Sequence, residues 1–350
     1  MESNQLHPRH QAILTEIIRY YLASHEAVSA RSISKISQLM LSPTSIRNLM
    51  EDLSQAGYLS FLSQGKGRIP TQKAFYVYVD SLLDIPTAQP CQPLKAKEGE
   101  PLPTLEGLLG AAGEALAERT GHTALAQLPG RESYPLAWVR FARVDEKRVA
   151  LVLSTRFGDI WSKVLESHRP PPEPILTQLE RHLCRHYQGM ALAAIREEIM
   201  SGSPRQVLEE ATSLGDAFRW LKNAFVWQAG RPMRIWREEN LFGMEGLAPK
   251  ALCTLHGALR TTPFLDSALA SARPVDGGLV AIGSEITVGG LEQASVVAFP
   301  FGAGDWRATL AVLGPMNMDY GLVLQQVRQE ALQLSNNLQT LAESHKTACP

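Results

Sequence analysis

One ten-residue stretch near the start of the chain constrains its fold strongly. It runs Leu41-Ser42-Pro43-Thr44-Ser45-Ile46-Arg47-Asn48-Leu49-Met50. Ser42 suits a helix N-cap, because its hydroxyl can accept a hydrogen bond from an unpaired backbone N–H. Pro43 suits the first helical position, where a missing N–H removes no hydrogen bond. The stretch therefore predicts that a helix begins at residue 43.

The predicted helix has one apolar face and one polar face. Its apolar positions follow helical spacing and are Ile46, Leu49, Met50 and Leu53. Thr44, Asn48 and Gln55 lie on the opposite side, flanked by Ser45 and Arg47. Small polar groups at a helix N-terminus suit phosphate oxygens, and Asn and Arg suit base edges. The pattern favours a DNA recognition helix, although an ordinary amphipathic helix has the same periodicity.

The residues before this helix predict a helix-turn-helix. Arg9 to Ser24 has apolar residues at spacings of three and four, as a helix with one buried stripe does. Ser29 can cap a second helix from Ala30 to Gln38, and a tight turn, Leu39-Met40-Leu41, follows. Two helices, a short turn and a third helix form the layout of this DNA-binding motif.

A glycine-rich hairpin is predicted after the recognition helix. Gly57 is suited to end that helix, and Tyr58 to Leu62 predicts a short strand. The next residues, Ser63 to Arg68, form a tip that carries Lys66 and Arg68. These two cations could neutralise phosphates or enter a minor groove, as in the wing of a winged helix. A plain surface hairpin would have a similar sequence.

This region is basic although the whole chain is nearly neutral, with 34 Lys and Arg against 35 Asp and Glu. Residues 29–73 contain two acids, Glu51 and Asp52. Against these two stand six basic residues, a net charge of +4: Arg31, Lys35, Arg47, Lys66, Arg68 and Lys73. Arg31 and Lys35 are therefore further candidate phosphate contacts. Such a modest excess fits a protein that gains DNA affinity by pairing two copies on one site.

The rest of the chain predicts an α+β protein with an antiparallel sheet. A length of 350 residues suits two or three domains. A helix is predicted from Leu105 to Arg119, and another begins at Asp319 with an apolar seam that could pack on the sheet or on another copy. The predicted strands are Ala124–Leu128, Ala137–Val144, Val149–Ser154, Ile160–Leu165, Gly278–Gly283, Ala294–Phe299 and Ala308–Leu313.

These patterns predict a split domain. The expected units are a winged-helix domain (1–84), a Pro-rich linker (85–103), a first sheet segment (104–174), a mostly helical insertion (175–265) and a second sheet segment (266–345). The insertion contains four large aromatic residues that could form an interface patch or fill its core: Trp220, Phe225, Trp227 and Trp236.

Four stretches of the sequence resemble the heat-inducible transcription repressor HrcA family of bacteria. They are Ser42–Asn48, Gly65–Thr71, Phe75–Leu83 and Gly314–Tyr320. The resemblance implies a GAF-like split domain with an inserted dimerisation domain. It also implies a homodimer that binds an inverted-repeat operator in double-stranded DNA upstream of chaperone genes. A GroEL-type chaperonin is the further partner that the resemblance implies, because it would help to keep the repressor active.

Other functions have weaker support in the sequence. His182 and His186 are spaced i and i+4, but no third ligand follows at useful spacing, so neither a metal nor a cofactor is predicted. No nucleophile elbow or phosphate loop points to an enzyme. Four scattered cysteines and the lack of a long apolar run favour the cytoplasm and no membrane span. A repressor that senses a metabolite through its GAF-like domain is the main alternative.

Overall fold

The structure is a computed structural model of the 350-residue chain. It describes residues 6–36, 41–61, 67–82, 103–201, 217, 220–226, 230–244, 249–261, 264–286, 288 and 291–344. Lys66, Trp227 and nearly all of the predicted linker lie outside the described residues.

The N-terminal module, residues 6–82, has the element order that the sequence predicts. Its elements are α1 (Pro8–Ser24), α2 (Ala30–Ile36), α3 (Pro43–Gln55), β1 (Leu59–Phe61), β2 (Arg68–Pro70) and α4 (Gln72–Ser81). The strands β1 and β2 pair antiparallel. Gly57 has φ +78°, the left-handed conformation that favours glycine after a helix. Ser29 Oγ accepts a hydrogen bond from Ser32 N at 3.1 Å, which confirms its capping role.

Thr71 precedes α4 but does not cap it through its side chain. Its hydroxyl instead donates to the carbonyl oxygens of Gly57 (2.8 Å) and Tyr58 (3.1 Å). These bonds tie the start of α4 to the turn between α3 and β1. The next helix, α5 (Leu105–Thr120), agrees with the prediction.

The larger sheet has six strands among the described residues, and every pairing in it is antiparallel. In sheet order the strands are β7 (Met233–Trp236), β3 (Thr123–Gln127), β11 (Trp306–Pro315), β10 (Ala294–Ala303), β9 (Gly278–Ile282) and β8 (Arg273–Val275). Both faces of this sheet are buried. On β10, Val297 and Phe299 pack on one side, where α5 and the long helix Tyr320–Ser344 lie. Val296 and Ala298 pack on the other side, with residues of the helices Pro249–Thr261 and Phe264–Ala268.

Three predicted strands do not join this sheet. A separate antiparallel sheet, β4-β5-β6, consists of β4 (Leu136–Arg143), β5 (Arg148–Thr155) and β6 (Ile160–Glu166). It packs on α6 (Glu173–Tyr187) and α7 (Leu192–Ser201) around a hydrophobic core of its own. The predicted boundary at residue 175 therefore does not match the division between the cores. Within the predicted helical insertion, residues 233–236 return to the larger sheet as β7.

The three described aromatic residues of the predicted patch all contribute to cores. Phe225 is buried, and Trp220 packs against the core beneath the smaller sheet. Trp236 lies on β7 and packs against the core of the larger sheet, close to Gly113 of α5. The core-filling interpretation therefore holds for these three. No helix in the described ranges is both long enough and apolar enough to cross a membrane.

Candidate nucleic-acid interface

The N-terminal tip of α3 is fixed by a side-chain cap. Ser42 has extended backbone angles (φ −66°, ψ 151°), and its Oγ accepts a hydrogen bond from Ser45 N at 3.1 Å. The hydroxyls of Ser42 and Ser45 also hydrogen-bond to each other at 2.9 Å. Pro43 occupies the first turn, as predicted. The tip thus has a defined geometry in the folded chain.

The two faces of α3 divide as the sequence predicts. Ile46, Met50 and Leu53 are buried against the rest of the module. The candidate contact residues on this helix are all exposed: Thr44, Ser45, Arg47 and Asn48. A polar surface at a helix start is therefore available to a ligand outside the protein.

Three exposed cations lie on α2 and α3. Glu51 of α3 forms an ion pair with Arg68, and Asp52 hydrogen-bonds to His10 Nε2 at 3.3 Å. Arg31, Lys35 and Arg47 are exposed and form no ion pair with another described residue. Phosphate groups are ligands that such exposed guanidinium and ammonium groups would attract.

Arg68 is not the exposed cation that the sequence predicts. Its side chain is only 10% exposed, and it forms an ion pair with Glu51 of α3. The guanidinium carbon lies 4.9 Å from the ring centroid of Phe61, whose large side chain is exposed. A buried, paired guanidinium cannot serve as the free phosphate contact that was predicted. We therefore assign Arg68 the role of holding the hairpin against α3.

Two backbone contacts also hold the hairpin in place. Val28 N donates to Arg68 O at 2.8 Å, and Arg68 N donates to Val28 O at 3.0 Å. A Cβ on Gly67 would lie 2.7 Å from the Cβ of Ala27 and 2.9 Å from its carbonyl carbon. Glycine at 67 therefore allows the hairpin to pass directly over the segment between α1 and α2. No local signal in the sequence indicates this contact.

Helix α4 docks the module onto the larger sheet through a polar joint, defined by Gln72, Tyr76, Arg273, Ser284 and Glu285. Gln72 Oε1 accepts from Ser284 N at 3.1 Å and from Ser284 Oγ at 3.0 Å. Tyr76 OH donates to Glu285 and accepts from the backbone N–H of residue 282 at 2.9 Å. Arg273 stacks 3.7 Å from the Tyr76 ring centroid and pairs with Glu285 at 3.3 Å.

Electrostatics in the joint reflect its burial. Burial, and then the hydrogen bond to Glu285, raise the pKa of Tyr76. Its hydroxyl therefore stays protonated and can keep donating to the carboxylate. Beside this joint, the Phe75 ring lies 5.7 Å from that of Tyr320, the last residue of the Gly314–Tyr320 motif. The motif at the far end of the sequence thus contacts the N-terminal module.

The two histidines that the sequence places at i and i+4 lie side by side on α6. The rings of His182 and His186 lie 4.4 Å apart, and burial lowers the pKa of His182 to about 4, with smaller effects from His186 and Arg185. Across the described ranges, no three His, Cys, Asp or Glu side chains form a group that could hold a metal.

Comparison with known proteins gives consistent matches along the chain. The family profile described as HrcA protein C terminal domain matches residues 106–324. A heat-inducible transcription repressor HrcA from Methylobacillus flagellatus is 27% identical, over 95% of this chain and 98% of its own. One of the same name from Nitrosomonas europaea is 28% identical, over 95% and 99%. A crystal structure described as that of a hypothetical protein has a TM-score of 0.62 at 22% identity, covering 96% of this chain and 98% of that one.

These matches first define the class of protein, which is that of transcription repressors, because the curated relatives carry that name. The family profile covers more than half of the chain. The chain therefore belongs to the HrcA family. The likeness to the solved structure supports the mixed α/β fold alone.

Proposed function

We propose that this chain is a transcription repressor that binds double-stranded DNA through the N-terminal module, which would act as a winged helix. The observation that carries the proposal is the exposed tip of α3, with its side-chain cap and the exposed cations Arg31, Lys35 and Arg47 on α2 and α3. Membership of the HrcA family supports the same function.

The proposed contacts divide into two kinds. Thr44, Ser45 and Asn48 enter the major groove, where an Asn side chain can form two hydrogen bonds with adenine. Arg31, Lys35 and Arg47 contact phosphates and fix the register without reading bases. Lys66 at the hairpin tip is a further phosphate contact, while Arg68 positions the hairpin.

We further propose that two copies bind one inverted repeat, since a symmetric pair doubles a modest contact surface. The regulated genes would be chaperone genes, and a GroEL-type chaperonin would modulate the activity. These statements rest on the resemblance to the HrcA family, whose curated members are named for heat induction.

Selection of bound DNA tests this function. The purified 350-residue chain is mixed with fragments of its own genome, and the retained fragments are sequenced. An inverted repeat upstream of chaperone genes is expected. Retention of random fragments would contradict sequence-specific repression.

Fluorescence anisotropy on the recovered site, with and without purified chaperonin, then tests modulation. We expect the chaperonin to change the fraction of the protein that can bind DNA, and an unchanged active fraction would contradict the chaperonin's role.

A further inference from the structure

A cleft of about 300 Å³ lies at the junction of three parts of the fold. Its walls come from the end of β5 with the turn after α6, from the turn between β10 and β11, and from the last turns of the long helix Tyr320–Ser344. This volume is at the lower end of the range of small-molecule sites. The cleft is remote in sequence from the N-terminal module, and the proposed DNA binding does not use it.

Arg156 supplies an unpaired cation to this cleft. Its side chain forms no ion pair with any described residue, and its Nε is buried without a hydrogen-bond partner there. Burial lowers the pKa of the Arg156 guanidinium. Arginine nevertheless stays charged in proteins, so the structure holds a partly buried charge that has no counter-ion among the described residues. Such a group favours an anionic ligand.

The guanidinium is seated against the backbone of Gly189. This glycine has φ +83°, and a Cβ there would collide with Arg156 Nη2. Trp306, which also lines the cleft, is 3% exposed, and its buried indole Nε1 has no hydrogen-bond partner within the described chain. Two residues that line the cleft thus each have a buried nitrogen donor with no hydrogen-bond partner in the described chain, which is uncommon for buried polar groups.

The same cleft also carries two carboxylates. Asp305 lies in the turn between β10 and β11, and Glu343 lies near the end of the long helix; both are exposed. One oxygen of Glu343 accepts from Gln339 Nε2 at 2.8 Å. Neither carboxylate pairs with Arg156. Separate positive and negative groups in one small cleft fit a ligand that carries both charges.

We propose that this cleft binds a small zwitterion of the amino-acid class, with the ligand carboxylate on Arg156 and the ligand ammonium on Asp305 and Glu343. The site extends beyond the proposed DNA binding. It can be tested without DNA, so failure of one proposal leaves the other intact.

Calorimetric titration of the full-length chain provides the test. The probes are the common L-amino acids, each matched with its amide, which lacks the carboxylate, and its N-acetyl form, which lacks the ammonium. We expect at least one amino acid to bind, and its amide and N-acetyl forms to bind about tenfold more weakly or worse, because each loses a charge-assisted hydrogen bond. Arg156→Gln should abolish binding, while the exposed Arg196→Gln serves as the matched control.

A second variant guards against misfolding of Arg156→Gln. Asp305 is exposed in a turn, so Asp305→Asn should fold normally and should weaken the amino acid more than its N-acetyl form. The proposal would be overturned if no amino acid bound at ligand concentrations up to roughly 10 mM, which is about the weakest affinity of interest. So would wild-type affinity in Arg156→Gln, or equal binding of an amino acid and its N-acetyl form.

Discussion

The guanidinium of Arg68 is held by groups from two other elements of the N-terminal module. Glu51 belongs to α3, and Phe61 belongs to β1. The backbone of Arg68 meanwhile pairs with Val28. One side chain therefore couples the position of the hairpin to the helix that would enter DNA. Since DNA contacts need both parts in register, Arg68 acts on binding through position and not through direct contact.

Replacement of Arg68 should weaken both folding and DNA binding. Arg68→Gln leaves the Glu51 carboxylate without its partner and removes the stacking on Phe61, so we expect a loss of about 1–3 kcal/mol in module stability. The double variant Arg68→Gln with Glu51→Gln should lose less than the two single variants combined. Thermal unfolding and operator affinity measure these effects. The exposed Arg9→Gln is the control, and strict additivity would contradict the coupling.

At this scale the sequence indicates residue types but not their partners. The capping by Ser42 is predictable from the sequence, because the cap lies only three residues from the backbone N–H that donates to it. The burial of Arg68 was not, because its partner Glu51 is 17 residues away on another element. A cation at a glycine-rich tip has the same local sequence whether it faces solvent or folds inward.

The charged residues of α2 and α3 differ in whether they are paired within the N-terminal module. The cations of α2 and α3 are exposed and form no ion pair with a described residue, whereas Glu51 of α3 is paired with Arg68. The exposed cations would together make a non-specific electrostatic contact with DNA. Base discrimination would come from the helix tip alone.

Removing one of these cations should weaken binding to all DNA sequences alike. Lys35→Gln or Arg47→Gln should reduce the slope of log affinity against log salt by about one for each contact in a complex, and leave the preferred site unchanged. Salt titration by fluorescence anisotropy measures this slope. Arg181→Gln, an exposed change on α6, is the control. A changed preferred site would contradict a phosphate role.

The turn between β5 and β6 should make stability depend on pH. Burial raises the pKa of Asp159 to about 6, although the hydrogen bond from Thr155 opposes this. The folded state therefore favours the protonated carboxyl. Its contribution to stability is complete below about pH 4 and is lost as pH rises through about 6.

Asp159→Asn should remove this dependence. The free energy of unfolding of the variant should match that of the wild type in acid. At pH 7 it should be higher by an amount on the order of 2 kcal/mol, a figure that already allows for solvent screening. Denaturant unfolding at several pH values between 4 and 7 measures the difference. Asp80→Asn, an exposed change on α4, serves as the control. A parallel pH profile in Asp159→Asn and the wild type would contradict the assignment.

Elements were easier to predict than their pairing. Strands β4, β5 and β6 alternate in hydrophobicity as half-buried strands do, and their positions were close to the predicted ones. Nothing local in such a pattern tells which sheet a strand joins, because pairing depends on distant partners. The short strand β7 lies between helical segments, and four residues give too weak a periodicity to detect it.

At the scale of the whole molecule, the N-terminal module and the larger sheet share one continuous hydrophobic core. The polar joint at Tyr76 lies at this boundary. A change at the sheet could therefore alter the orientation of α3 through α4. The sequence offered the aromatic segment Phe75–Leu83 but could not show what it contacts.

Loss of the Tyr76 hydroxyl should loosen this docking. Tyr76→Phe leaves the N–H of Ile282 without its acceptor and removes one of the two partners of the Glu285 carboxylate, which still pairs with Arg273, at a cost of about 1–3 kcal/mol. We expect faster hydrogen exchange at the Ile282 amide and a separate, earlier unfolding step in calorimetry. Tyr20→Phe, on α1, is the matched control. Unchanged exchange at Ile282 would contradict a docking role.

The central claim is that the tip of α3 reads DNA bases, and Asn48 tests it most directly. Competition gel shifts would compare Asn48→Ala with the wild type on the recovered operator and on every single-base variant of one half-site. The exposed Gln55→Ala, at the other end of α3, is the control. We predict that Asn48→Ala loses about 1–3 kcal/mol of discrimination at one base pair and retains it elsewhere. Full discrimination at every position in Asn48→Ala would contradict the account.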